Sequence, residues 1–365
     1  MINQYGQNLS LSIFGGSHDV EIGMRLSGFP AGLAVDTEAL LALMARRAPG
    51  SSPLATSRKE KDLPIFKSGI VNGITTGEEI LAVIRNENTR SSDYSFVYDT
   101  PRPGHADFAA LMKYGDKVDL RGGGHFSGRL TAPLCIAGAL CLQYLAEKGV
   151  HIGAHIASVG TVNDEKFDPV SVDNSIFEHL KAMSFPVLDA AAGERMQAEI
   201  LAAKGELDSV GGTVECAVIG LPAGLGEHMF CGVEGRIASL LFSIPAIKGV
   251  EFGAGFDVAK RRGSENNDPF VTDGKRVTTL TNHCGGILGG MTNGMPLVFR
   301  MAFKPTPSIA REQQTVSLSR MENTTLQIKG RHDPCIVSRA VPVAEAAAAI
   351  AVTDLLLDNA RTEVN

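Results

Sequence analysis

The chain has 365 residues, 44% of them hydrophobic and 20% charged, which is the profile of an ordinary globular protein able to bury a sizeable core. Its net charge of −6, without a block of like charges, argues against a generic nucleic-acid or acidic-membrane surface, and the absence of Trp removes one platform for stacking bases. Any anionic ligand must therefore be met by local arginines.

The N-terminus MINQYGQNLSLSIFGG has no basic region followed by an apolar core and a small-residue cleavage site, so the expectation is a cytoplasmic protein without a secretory signal. Residues 7–14 alternate like a short strand and lead straight into the loop FGGSHD. Asp36 is the expected N-cap of a helix running to Arg47 and closed by Pro49 and Gly50. RPGHADFAALMKYG places a Pro-Gly turn before a helix, with His105 near its first turn. Next comes RGGGHFSGR (121–129), a run of glycines between two arginines that feeds the N-terminus of an apolar helix over 132–148. Further helices are expected over 176–183, 190–204, 233–243 and 342–358, and strands over 212–221 and 295–303. The apolar stretches 132–146 and 341–357 are read as buried helices, too short or too interrupted by Glu345 and Asp354 to span a bilayer. Six cysteines without a C-x-x-C pair suit reduced thiols, with no metal and no disulfide. No repeat or low-complexity linker marks a boundary, so residues 1–365 are expected to form one α+β domain.

Neither standard phosphate cradle is present: no G-x-G-x-x-G follows a strand and no G-x-x-x-x-G-K-[ST] occurs. His18, flanked by Ser17 and Asp19, invites comparison with a nucleophilic triad, but GGSHD lacks the glycine of a nucleophile elbow. His105 and Asp107 could share a metal, yet no further ligands are supplied in a recognisable spacing. Two histidines in Gly/Pro-bounded turns favour acid–base work over a purely structural role. KPTPSI (304–309) and GRHDPCIVSRAVP (330–342) have two readings. They are a rigid turn and a loop before a helix starting at Pro342, or a polar edge for a heteroaromatic ring with arginine answering a phosphate. Spacing alone leaves both open.

Taken in order, FGGSHD, RPGHAD, RGGG, GGILGGMTNGMP, KPTPSI and GRHDPC…RAVP resemble the motifs of the chorismate synthase family nearly end to end. The resemblance implies a β-α-β sandwich with helices between antiparallel sheets, assembled as a homotetramer. It implies a lyase that needs reduced FMN and converts 5-enolpyruvylshikimate 3-phosphate to chorismate by anti-1,4-elimination of phosphate, with NADPH as a candidate reductant in some members. It also assigns roles: His18 protonates the departing phosphate, His105 lies beside the flavin, and Asp333, with Ser17 and Ser127, serves proton movement. Arg47, Arg129 and Arg339 fall where the family binds substrate anions, and Gly289, Lys304, Thr306, Ser308 and Arg331 where it holds FMN. Three flavin positions depart from the family pattern: His125 and Phe126 replace arginine and serine before Ser127, and Pro245 replaces asparagine in the Asn-Ala pair that here reads Pro245-Ala246. In FGGSHD, Gly16 and Asp19 replace glutamate and glycine; an ionised Asp19 facing His18 would favour the protonated ring. A catalytically altered FMN-binding member of the same fold is the alternative that these departures leave open.

Overall fold

The computed structural model describes residues 3–49, 54, 62–86, 96–328 and 332–362. Two five-stranded antiparallel sheets enclose a layer of helices. The first runs in the order Gln4–Tyr5, Ser10–Phe14, Glu21–Ser27, Ile80–Arg85, Ile65–Ser68. The second runs Ile247–Phe252, Leu297–Phe303, Gly212–Ile219, His151–Val159, Val162–Asn163. Between them lie the helices Thr131–Glu147 and Val337–Thr362, the former reaching mainly the first sheet and the latter the second. This is the β-α-β sandwich of the resemblance.

The two central helices can approach closely because their contact is built from small side chains. A Cβ on Gly138 would stand 2.3 Å from that of Ala346. Both helices are long and apolar enough to cross a membrane, but 61% and 89% of their apolar windows are buried inside the fold. Glu345 and Asp354 do not break the second one. Glu345 takes a two-point fork from Arg46 (2.6 and 2.9 Å), and Asp354 accepts the backbone amides of Gln7, Asn8 and Leu9 at 2.7–3.1 Å. Buried carboxylates satisfied in this way tie the helix to its neighbours.

Helix ends follow their caps. Asp36 accepts the amide of Ala39 at 2.9 Å and starts Thr37–Arg47. The last helix corrects the sequence reading. It begins at Val337, so Pro342 lies inside it rather than at its start, and Arg339 stands in its first turn. The amides of Arg339 and Ala340 donate to the Ile336 carbonyl (3.1 and 3.0 Å), which extends the helix back past the proline. The cost falls on the Ser338 carbonyl, to which Pro342 has no N–H to donate.

A charged row crosses the outer face of the second sheet in strict register: His155, Glu215, Arg300 and Glu251 are successive cross-strand neighbours. His155 is fully buried, with Nδ1 2.9 Å from Asp164 and Nε2 3.1 Å from Glu215. Burial pulls its pKa down, but the hydrogen bonds and charges of the two carboxylates outweigh this and raise it. A raised folded-state pKa stabilises fully below the unfolded value of about 6.5 and is lost as pH rises through the folded value. Thermal stability is therefore expected to fall at alkaline pH, by roughly 1.4 kcal/mol for each unit by which the pKa is raised. In His155→Gln the dependence due to this group should vanish; calorimetry across neutral to alkaline pH checks it, and an unchanged slope would remove His155 as its source.

Candidate active site

RGGGHFSGR forms two short turns that run directly into the helix at Thr131. Its three consecutive glycines have φ of 58°, 91° and 51°, all in the left-handed region that side chains resist. Space excludes side chains as firmly. A Cβ on Gly124 would lie 1.9 Å from the Asp119 carbonyl, and one on Gly122 would lie 2.7 Å from Ser17 Oγ and 2.9 Å from His18 Nε2. One on Gly123 would stand 3.3 Å from His105 Nε2. The run is thus a wall of bare backbone with His18 against one glycine and His105 against the next. Ser17 fastens the FGGSHD loop to it: its amide donates to the Gly124 carbonyl (3.2 Å) and its hydroxyl to the Arg121 carbonyl (3.0 Å).

His105 precedes the helix Asp107–Tyr114 by two residues and is held from its Nδ1 side. Nδ1 lies 2.7 Å from Asp107 Oδ1, and Arg102 grips the same carboxylate through Nε and Nη2, each at 2.7 Å. Burial opposes ionisation of Asp107, yet the hydrogen bonds and charges of Arg102 and His105 hold it well below the usual carboxylate range. Arg102 and Asp107 are therefore a charged pair in a nearly water-free place.

Two of the expected substrate arginines share one carboxylate. Arg47 donates to Asp62 Oδ2 at 2.7 Å and Arg129 donates to Asp62 Oδ1; all three side chains are buried. Arg47 also reaches Thr131 Oγ1 and the Gly128 carbonyl, both at 3.1 Å. Burial, then the charge of Arg339, brings the Arg47 guanidinium down to about 10. Asp62 adopts φ 48°, a left-handed conformation that Asp tolerates better than most residues. Asn86 links this cluster to the FGGSHD loop, accepting from Arg129 Nε (3.1 Å) while its amide donates to the carbonyls of Asp19 (2.8 Å) and Gly16 (3.2 Å). Arg339 completes the group, donating to the Arg47 carbonyl (3.0 Å) and to Asp333.

These elements surround a cleft of about 1010 Å³. Of the residues singled out from sequence, it brings together His105, Ser127, Asp333 and the arginines 47, 129 and 339. His125, Phe126, Pro245, Ala246, Lys304, Thr306 and Ser308 line it as well. Ser17 and His18 sit behind Gly122, which itself lines the cleft. Gly289 does not line it; it joins the hairpin Ile287–Leu288/Met291–Thr292, whose Met291 bridges to Gly226. Arg331 lies outside the described residues. Arg121, the first of the two arginines around the glycines, is likewise not on the cleft and pairs with Asp119 at 2.6 Å. Asp119 sits below the usual carboxylate range, chiefly through hydrogen bonds from Arg121 and also through the charge of His18. Asp19 is exposed and acts on Arg121. The sequence reading missed Asp62, Asn86 and Arg102, and treated Asp107 only as a metal ligand. The one available signal was the nearness of Arg102 and Asp107 to His105 within a single motif.

Comparison with known proteins agrees with this assembly of motifs. The sequence pattern of the family described as "Chorismate synthase" matches residues 9–357. Curated chorismate synthases from Lancefieldella parvula and Thermococcus gammatolerans are 45% and 46% identical to the chain; the alignments cover 98% and 96% of it and 96% and 97% of those proteins. One from Dehalococcoides mccartyi is 44% identical over 98% of this chain and 97% of its own. A crystal structure of chorismate synthase superimposes with a TM-score of 0.76 at 30% identity, covering 97% of this chain and 93% of the other. With sandwich, motif order and near full-length identity all in agreement, the chain belongs to the chorismate synthase family.

Proposed function

We propose that this cleft carries out the family reaction, converting 5-enolpyruvylshikimate 3-phosphate to chorismate and phosphate, with FMN bound beside the substrate. The observation that carries the reading is His105 on a cleft whose wall holds buried arginines, with His18 packed against Gly122, the neighbouring glycine that lines it. A substrate with two carboxylates and a phosphate requires such charge, and bidentate guanidinium answers it better than lysine. The volume, about 1010 Å³, is at the top of the range of single-ligand pockets, which suits a cleft shared by two molecules.

The residues present fit a flavin. Ile244, Phe303 and Ile336 give an apolar face, and Thr306 Oγ1 is buried without a hydrogen-bond partner among the described residues, as expected of a group awaiting a ligand. Lys304, Thr306, Ser308, His125, Phe126, Pro245 and Ala246 would hold it. Reduced FMN, when bound, supplies electron density transiently to a substrate that loses phosphate, with no net redox change.

The chain's own work is binding and proton handling. Arg47, Arg129 and Arg339 orient the anions. His18 delivers its proton to the phosphate oxygen as the C–O bond breaks, so that the leaving group departs less charged. Asp333, His105 and Ser127 all line the cleft and are the groups that would take up the proton lost from C6. Arg339 donates to the Asp333 carboxylate. Closing this polar cluster away from water strengthens each of these interactions.

The same reading takes the chain as one domain working as a homotetramer in the cytoplasm. One hydrophobic cluster extends from Leu9 to Leu355, which supports a single unit, and exposed Met229, Phe230 and Phe256 support a partner surface. Anaerobic phosphate release from the substrate with chemically reduced FMN tests the function. Release is expected, and its repetition with NADPH and oxidised FMN shows whether the chain reduces its own flavin. Flavin binding without phosphate release would favour the altered, inactive member instead.

A further inference from the structure

We infer that Asp107, locked by Arg102, is the positioning residue that fixes the tautomer of His105 and turns its Nε2 toward the reacting molecules. This deepens the proposed function and rests on it. His105 Nδ1 has two polar neighbours, Asp107 Oδ1 at 2.7 Å and Arg102 Nη2 at 3.1 Å. They make opposite demands, because a carboxylate only accepts and a guanidinium only donates. Arg102 Nη2 carries two hydrogens about 120° apart, but Asp107 Oδ1 at 2.7 Å and His105 Nδ1 at 3.1 Å, themselves only 2.7 Å apart, subtend a much narrower angle from it, so the hydrogen given to the carboxylate leaves no second one aimed squarely at the imidazole. A bare Nδ1 would instead bring a lone pair within 2.7 Å of a carboxylate oxygen with no proton between them. Nδ1 therefore carries hydrogen, and the neutral ring has its lone pair on Nε2.

The opposite edge of the ring is where the site needs it. Nε2 and Cε1 lie beside Gly123, whose absent side chain leaves 3.3 Å to each from the place a Cβ would occupy, and His105 lines the cleft. The carboxylate is itself immobilised. It accepts from Arg102 Nε and from the Arg102 backbone amide (3.0 Å), and Arg102 Nη1 reaches Ser308 Oγ at 3.4 Å. Lys304 donates to the carbonyl of Gly104, the residue before His105. Every contact thus fixes the ring from behind and leaves Nε2 to accept or give the proton at the cleft. The arrangement is the orienting logic of a carboxylate behind a general base, where reversing the amide and acid roles costs about 10⁴-fold in kcat in a well-studied protease.

Histidine-selective ¹⁵N labelling of the full-length protein tests this without any turnover, with the His105 signals identified by their loss in His105→Ala. Above the titration of the ring, Nδ1 is expected at the protonated, pyrrole-like position and Nε2 at the pyridine-like one. The reverse pattern in the unmodified protein overturns the inference, whatever a variant's stability. In Asp107→Asn, whose side-chain amide can donate to Nδ1, the pattern should invert. The kcat should then fall roughly 10²–10⁴-fold with a much smaller change in KM, while Asp107→Glu should recover part of the loss. Retention of the wild-type tautomer in Asp107→Asn likewise overturns it. Inversion with full turnover would leave the positioning intact and remove His105 from the proposed chemistry, so failure of the two readings can be told apart.

Discussion

Replacing either His18 or His105 by alanine is expected to lower kcat about 10²–10⁴-fold, the usual contribution of one positioned acid or base, while leaving the fold in place. Neither side chain belongs to the hydrophobic core; both meet glycine backbone at 122 and 123. The two losses should differ in kind. His105→Ala removes a group on the cleft surface and frees the Arg102–Asp107 pair behind it, so flavin affinity should change along with rate. His18→Ala acts from behind Gly122 and should lower phosphate release with flavin affinity nearly unchanged. Single-turnover phosphate release, with flavin titrations and circular dichroism on both variants, checks the pattern. Wild-type rates in either variant would strike that residue from the mechanism.

Much of this was legible in the chain itself, for physical reasons. Asp36 capping the helix to Arg47, and the alternation over 212–221 that forms the strand Gly212–Ile219, express local rules that tertiary packing did not overturn. The glycine run announced a close approach of backbone to something bulky, but not what approached. The answer is two imidazoles, one from a loop about a hundred residues earlier, and no local pattern encodes that meeting. The sandwich came from the order of motifs rather than from periodicity, because a helix buried on nearly all sides, such as Thr131–Glu147, carries little amphipathic signal. Asp62 was invisible for a different reason. It stands in no motif or periodic segment, and its importance arises only where two arginines, 15 residues before it and 67 after it, converge on its two oxygens.

That convergence gives the second large effect: Asp62→Ala is expected to cost on the order of 3–5 kcal/mol of stability, because it leaves buried charge uncompensated. The Asp62 side chain is fully buried, and those of Arg47 and Arg129 are 4% and 7% exposed, so water cannot take over its work. With the carboxylate gone, Arg47 faces Arg129 and Arg339 without the one anion it now grips, and its pKa, already brought down to about 10 by burial and by Arg339, should fall further. Asp62→Asn keeps the volume and one acceptor oxygen, and should lose less. The same vacancy makes a second, more specific expectation. Two guanidinium groups stripped of their carboxylate form an oxyanion site, so millimolar inorganic phosphate should raise the melting temperature of Asp62→Ala more than that of the parent, in proportion to RT ln(1 + [L]/Kd). A generic packing defect would lower the melting temperature but respond to phosphate no differently from the parent. Melting curves of the two proteins with phosphate, and with chloride at equal ionic strength, separate these cases. A variant as stable as the parent, or one indifferent to phosphate, would mean that Asp62 does not hold the arginine pair.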